Sequence, residues 1–217
     1  MASYFRVQAP ASEPVSLAEC KLAMTVDTDL TADDALIGLL ISGAREYAED
    51  YCNRSFVTQK WCLTLDSFMD ASSRGCGPFM SSVLLEKAPI QSIDSIVYLD
   101  MAGVAQTITA PGTGGQTSTV ANQSRFALDL NGRLGKIAPA FGQIWPITLP
   151  QLGAVKINFT AGFGAPALVP TGICLWIKMR VATLYQNREE VAVMPRGKVE
   201  ALPYVDRLLD GFVVSLA

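Results

Sequence analysis

Chemistry at neutral pH usually draws on histidine, and this sequence contains none. Its absence removes the commonest general base and metal ligand, along with every Ser-His or Cys-His nucleophile pair. Carboxylates remain, and four of them cluster at Asp27, Asp29, Asp33 and Asp34. Paired carboxylates can act as general acid and base. Because these four lie where a helix is predicted to begin, capping and the helix dipole explain them better.

Two other patterns that could bind a ligand have simpler explanations. The run GRLGK at residues 132–136 lacks the spacing of a phosphate-binding loop, and no Ser or Thr follows its lysine. The five cysteines, an odd number without CxxC spacing, are typical of reduced thiols rather than disulfides or zinc ligands. They are Cys20, Cys52, Cys62, Cys76 and Cys174. We therefore expect no catalytic residue, no cofactor site and no metal site.

Charge and composition point to a protein that is partly covered by other subunits. The net charge of −3 and the pI near 5.0 argue against a protein that grips nucleic acid through phosphates. Apolar residues make up 50% of the chain and charged residues only 17%, against a usual value of about 25%. So few charged residues favour an oligomer in which part of the surface is buried between subunits. The alternative is a well-packed monomer with a slightly apolar surface. No segment reads as a membrane span, since prolines and glycines interrupt the uncharged residues 159–177.

The longest regular pattern is a helix predicted over residues 31–53. Thr31 followed by Asp34 resembles a capping box. One apolar stripe recurs at spacings of three and four and predicts the buried face of the helix: Leu36, Leu39, Leu40, Gly43, Tyr47 and Tyr51. A second set widens this stripe beyond the needs of one packing partner: Ile37, Ile41, Ala44 and Ala48. The charged residues Arg45, Glu46, Glu49 and Asp50 are expected on the solvent side.

Helical and strand patterns together predict an α+β fold, with a small bundle of N- and C-terminal helices and an inserted, mainly antiparallel β region. Further helices are predicted over residues 17–24, where Ser16 and Glu19 form a capping box, and over residues 171–187 and 199–209. Alternating patterns predict strands at 57–65, 83–86, 93–99, 104–108, 126–130, 133–137 and 154–160. Hairpin turns are predicted at residues 100–103 and at Asn131-Gly132. The predicted divisions are an extended arm (1–15), a discontinuous helical domain (16–55 and 166–209), an inserted β domain (56–165) and a C-terminal tail (210–217).

Several segments in this order resemble the head–tail connector adaptor, or head-completion, proteins of long-tailed bacteriophages. They are VSLAE (15–19), DALI (34–37), AREYAE (44–49), TQKW (58–61), KAPIQSI (87–93), FTAGFG (159–164) and LYQNRE (184–189). The resemblance covers residues 15–190 and excludes the polar loop 109–124. It implies a structural, non-enzymatic homo-oligomeric ring, usually of twelve subunits, in the neck of a virion. Such a protein is made in the cytoplasm of the bacterial host.

The resemblance also implies partners. The ring would dock under the portal protein, extend the DNA channel, and link the capsid to a downstream stopper or tail-completion protein. DNA would pass through the lumen without specific binding, which suits an acidic chain, and no membrane is involved. For the subunit interface we select Leu36, Leu40, Tyr47, Tyr51, Trp176 and Arg180. For portal binding we select the apolar tail residues Phe212, Val213, Val214 and Leu216, which could add a strand to a partner's sheet edge.

Two alternatives stay open at this point. The chain could be a tail-completion or baseplate component whose β region is the binding surface. It could also be an enzyme acting through carboxylates such as Asp34 and Glu46, although nothing in the sequence assembles them into a site.

Overall fold

The computed structural model describes residues 2–68, 82–109, 126–130, 134–140, 143–187 and 203–214. The chain forms two compact units. The β unit comprises Met1–Ala11 and Thr58–Phe163, and the helical unit comprises Ser12–Val57 and Gly164–Ala217. Helices and mainly antiparallel strands thus both occur, which confirms the α+β class predicted from the sequence.

The β unit contains two antiparallel sheets. In chain order its described strands are β1 (Ser3–Gln8), β2 (Gln59–Leu65), β3 (Val83–Leu85), β4 (Ile90–Leu99), β5 (Ala105–Thr109), β6 (Phe126–Asp129), β7 (Gly135–Pro139) and β8 (Val155–Ala161). Five of them form one sheet in the order β1-β2-β8-β4-β5, and the other three form a sheet in the order β3-β7-β6. Consecutive strands are therefore not always neighbours, because β8 returns to lie between β2 and β4.

The alternating pattern of β8 produces the centre of this unit. Val155, Ile157 and Phe159 are fully buried, as predicted, while Lys156 between them is exposed. The register places Leu63 of β2 and Ile96 of β4 on either side of Ile157. One apolar cluster then continues through these strands to both sheets. Burial of side chains of this size contributes about 1.5–3 kcal/mol each.

Residues 100–104 form the tight turn between β4 and β5 that the sequence predicts. The Asp100 carboxylate accepts hydrogen bonds from the backbone N–H groups of Ala102 and Val104, both at 2.9 Å. Gly103 has φ +77°, a conformation that glycine adopts without a steric penalty.

The first fifteen residues, expected from the sequence to be an extended arm, are divided in the structure. Strand β1 pairs with β2 in the β unit, and residues 12–15 belong to the helical unit. Tyr4 fastens β1, because its ring packs edge-on against Phe159 and its hydroxyl donates to the Leu84 carbonyl at 3.1 Å. Tyr4 is followed directly by another apolar residue, Phe5, so the strand lacks a clear alternation of apolar and polar residues, which is why the pairing was not predicted.

The described helices of the helical unit are α1 (Leu17–Ala23), α2 (Asp34–Cys52), α3 (Thr171–Gln186) and α4 (Pro203–Asp210). The Ser16–Glu19 capping box predicted for α1 is confirmed. The predicted capping box at Thr31 is wrong, because α2 begins after Asp33 and has no side-chain cap. Asp34 is instead held by the buried Lys21, whose Nζ lies 2.5 Å from its carboxylate.

Some predicted features lie outside the described residues. They are most of the polar loop at 109–124, the Asn131-Gly132 turn with residue 133, and residues 199–202 of the last predicted helix.

The core position of Phe159 generates a stability prediction. Phe159→Ala should lower the free energy of unfolding by about 3–5 kcal/mol, because it removes a fully buried ring and leaves a cavity. Chemical denaturation followed by circular dichroism measures this change. Lys156→Ala, on the exposed side of the same strand, should stay within about 0.5 kcal/mol of the parent. Equal losses in the two variants would contradict the assignment of faces.

Candidate interaction surface on the helical unit

Helix α2 is apolar on more than one side, and the structure shows which side turns inward. Its buried residues are Ile37, Ile41, Ala44, Arg45, Ala48, Glu49 and Cys52. The inward apolar residues are thus those of the second predicted set. Their packing partners include α3, where Ile173, Trp176, Ile177 and Val181 are buried.

The stripe predicted to be the main buried face of α2 is mostly outside, so that prediction is wrong. The exposed fractions are 70% for Leu39, 56% for Tyr47 and 44% for Tyr51, whereas Leu36 and Leu40 are half-buried. Both sets have helical spacing, and periodicity alone does not tell which of two adjacent apolar stripes meets the core. The outer stripe remains available to a partner.

Four of the six residues selected for an interface come together around Tyr47. Its ring stacks on Trp176 with centroids 5.8 Å apart and on Tyr51 at 6.5 Å, in both cases nearly parallel. The Arg180 guanidinium lies 5.9 Å from the centre of the Tyr47 ring, within range of a cation–π interaction. Tyr51 in turn donates its hydroxyl hydrogen bond to Asp210 of α4 at 3.0 Å. Aromatic rings held in this way lose little entropy on binding a partner.

Trp176 has a different role from the one selected for it. It is 1% exposed, so its indole supports Tyr47 from within the unit while Tyr47 presents the outer surface. The selection of interface residues omitted Leu39, which lies two turns before Tyr47 on α2 and is 70% exposed. Its place in the first apolar stripe was the signal that could have found it.

The prediction that Arg45 and Glu49 face solvent is also wrong. Both are 4% exposed. Arg45 Nη1 donates to Glu49 Oε2 at 2.8 Å, and Nε donates to Glu13 Oε2 at 2.7 Å. Buried charges are tolerated when they are paired in this way. Because Glu13 lies far away in the sequence, no pattern within the helix reveals its pairing with Arg45.

The first residues of the C-terminal tail pack on their own helical unit. Val214 is 5% exposed, and its backbone N–H donates to the Cys52 carbonyl at 3.0 Å, satisfying an acceptor in the last turn of α2. Phe212 and Val213 are half-buried, and the Phe212 ring lies over Gly172, where an added Cβ would come within 3.4 Å of it. Leu216 lies outside the described residues.

Two of the four carboxylates first considered for chemistry have structural partners. Asp33 accepts the Tyr185 hydroxyl hydrogen bond at 2.5 Å, and Asp34 pairs with Lys21. Burial raises the pKa of the Cys20 and Cys52 thiols to about 11, so both are protonated at neutral pH. Among the described residues, no group of three His, Cys, Asp or Glu side chains is placed to hold a metal ion. No described helix is long and apolar enough to cross a membrane.

Because Val214 is buried, a charged residue at this position should destabilise the protein. Val214→Asp should lower the melting temperature of the protein, because it places a carboxylate in a buried apolar position, at a cost of roughly 2–4 kcal/mol. Differential scanning calorimetry checks this. The matched variant Val213→Asp, at a half-buried position, should have a smaller effect. If neither variant changes the melting temperature, the tail does not pack on the helical unit.

Comparisons with known proteins give a family match for the N-terminal part of the chain and similar solved structures for nearly all of it. Residues 14–73, which include α1, α2 and β2, match the family model described as phage gp6-like head-tail connector protein. Comparison with curated proteins gives no match.

Two similar solved structures come from necks of gene transfer agent (GTA) particles. A chain in the neck of an empty particle, computed with C6 symmetry, has a TM-score of 0.72 and 21% identity, covering 99% of this chain and 97% of its own. A chain in the neck of a native particle, computed with C12 symmetry, has a TM-score of 0.69 and 19% identity over 99% and 97%. A chain from the native GTA virion has a TM-score of 0.69 and 21% identity over 99% and 96%.

These findings combine a sequence match over α1 and α2 with a fold shared along nearly the whole chain. They confirm the resemblance predicted from the sequence, which is to the head–tail connector family.

Proposed function

We propose that this protein is a structural subunit of a phage-like neck, where copies of it assemble into a ring. The observation that carries this proposal is the outer stripe of α2, formed by Leu39, Tyr47 and Tyr51. These three large side chains are 44–70% exposed in a single copy, on a helix inside the segment that matches the connector family. An apolar surface of this kind is covered by a partner in an assembled protein.

A ring requires a heterologous contact, in which one face of a copy meets a different face of the next. The outer stripe of α2 offers one such face, with Tyr47 held in place by Trp176 and Arg180. The C6 and C12 symmetries belong to the necks that contain the similar chains, and they support a cyclic arrangement here. The subunit number of twelve is part of the proposal.

The remaining elements of the proposal follow from the role of a neck. The ring would join the portal protein to a downstream stopper or tail-completion protein, and DNA would pass through without specific binding. The acidic net charge of −3 supports passage without retention. The family match and the structural partners of the candidate carboxylates support a structural role rather than an enzymatic one. We also propose that the helical and β units are the two domains predicted from the sequence.

Fewer residues of the tail are available for portal binding than the sequence suggested. Phe212 and Val213 are half-buried and have exposed surface that a partner could contact, whereas Val214 is buried within the helical unit. Portal binding through this tail therefore rests on Phe212, Val213 and the residues beyond Val214.

A second candidate function is that of a tail-completion component that binds through the β unit. Among the residues of this unit that the structure describes, three large aliphatic side chains are more than three-quarters exposed: Ile144 at 86%, Ile147 at 76% and Leu152 at 83%. Location of the protein within the particle, at the portal or further down the neck, separates the two candidates.

The outer stripe gives a direct test of ring formation. Leu39→Asp should abolish or strongly reduce assembly, because a charge placed within an apolar contact must be desolvated without a partner. Its melting temperature as a single copy should change little, since Leu39 is exposed there. Mass photometry of the protein alone and mixed with its portal protein measures the assembly.

Leu152→Asp is the matched control, with the same substitution at an exposed leucine of the β unit. It should leave the ring intact. If the Leu39→Asp variant forms the same rings as the parent, α2 is not part of the subunit interface. If the parent protein stays monomeric even when mixed with the portal protein, the proposed ring is contradicted.

A further inference from the structure

The chain crosses between the two units three times, at residues 11/12, 57/58 and 163/164. Two of these crossings have a residue of the helical unit beside them that is tied to α2. Glu13 lies just after the first crossing, and Phe56 lies just before the second. Both are bound by the same buried pair of side chains, Arg45 and Glu49.

Each bond in this group is short, and the two bonds that Glu49 accepts are buried, whereas the bond from Arg45 to Glu13 is partly exposed. Arg45 Nε donates to Glu13 Oε2 at 2.7 Å, Arg45 Nη1 donates to Glu49 Oε2 at 2.8 Å, and the Phe56 backbone N–H donates to Glu49 Oε1 at 2.8 Å. Arg45 and Glu49 are 4% exposed, and the Phe56 side chain is fully buried. Hydrogen bonds to charged groups in such surroundings are stronger than neutral ones.

The end of α2 brings Phe56 into reach of Glu49. Asn53 adopts a left-handed conformation with φ +50°, which asparagine tolerates better than most residues, and the Arg54 N–H donates to the Glu49 carbonyl at 3.0 Å. The chain therefore turns back along the helix end, and the Glu49 carboxylate receives the Phe56 amide. Glu49 thus binds the residues after the helix through both its backbone and its side chain.

The two carboxylates offset the effect of burial on the charge of Arg45. Burial acts to lower the pKa of Arg45, but the hydrogen bond to Glu13 and the charge of Glu49 outweigh it and raise the pKa. Arg45 therefore stays charged and can hold both carboxylates. Glu46 contributes a weaker contact at 3.5 Å from Arg45 Nη2, with an exposed side chain.

We infer that Arg45 and Glu49 form a clamp that fastens both of these chain crossings to α2. Through the clamp, movement of the chain at residue 13 or residue 56 is resisted by bonds to the buried Arg45 and Glu49 side chains. The crossings at 11/12 and 57/58 then open together with the end of α2 rather than as independent loops. The inference does not depend on ring formation.

Amide hydrogen exchange, measured residue by residue, tests the clamp. In the parent protein the Phe56 amide should be among the slowly exchanging groups of the helical unit. Glu49→Gln keeps the size of the side chain but removes its charge, and it should speed exchange at residues 54–57 by roughly tenfold or more, because a buried charged pair is broken. Protection in β8 of the β unit should not change.

Two further variants make the test specific. Glu13→Gln should speed exchange around residues 12–15, with a smaller effect at residue 56, because Glu13 touches only Arg45 of the clamp pair. Glu46→Gln is the matched control on the same helix and should alter exchange at both crossings less than about twofold.

Unchanged exchange at residues 54–57 in Glu49→Gln would overturn the inference. So would a uniform loss of protection through α1, α2 and α3, since that would show a general contribution to stability rather than a clamp. If Glu49→Gln does not fold, the comparison of Glu13→Gln with Glu46→Gln decides, and equal exchange in those two variants would also overturn it.

Discussion

The packing of one face of α2 inside the helical unit is the constraint on which the rest of this account depends. Ile37, Ile41, Ala44 and Ala48 turn inward, among the buried residues of the unit. An α-helix places residues about 100° apart around its axis, so burial of this face turns the neighbouring stripe outward. Leu39, Tyr47 and Tyr51 are exposed for that reason and not because they are weakly apolar. Core and contact surface are thus two sides of the same helix.

The sequence predicted those parts of the fold that have a local physical signal. The Ser16–Glu19 capping box, the alternation along β8 and the turn before Val104 depend on neighbouring residues only, and the structure contains all three. Features that depend on distant residues were missed or reversed. The burial of Arg45 requires Glu13, and the inward face of α2 is selected by α3. The family resemblance came from an ordered set of short segments rather than from any single motif.

The candidate surface was predicted in part for a related reason. An apolar stripe wider than one packing partner needs was visible in the sequence, and it does supply an exposed surface in the structure. Trp176 is as apolar as Tyr47, yet it lies underneath, because α3 presents it to the interior of the unit. The tail shows the same limit, since only the fold reveals that Cys52 offers a carbonyl to Val214. Composition indicates that a surface exists, and packing decides which residues form it.

Photo-crosslinking in assembled particles tests the central claim most directly. A benzophenone side chain in place of Tyr47, in particles whose necks contain this protein, should crosslink to a second copy of the same chain. Dimers and higher multiples of the subunit mass would then be detected by denaturing electrophoresis and peptide mapping. The same group in place of Leu152 should give few such products. Crosslinks from position 47 that reach only other proteins, or none at all, would contradict the account.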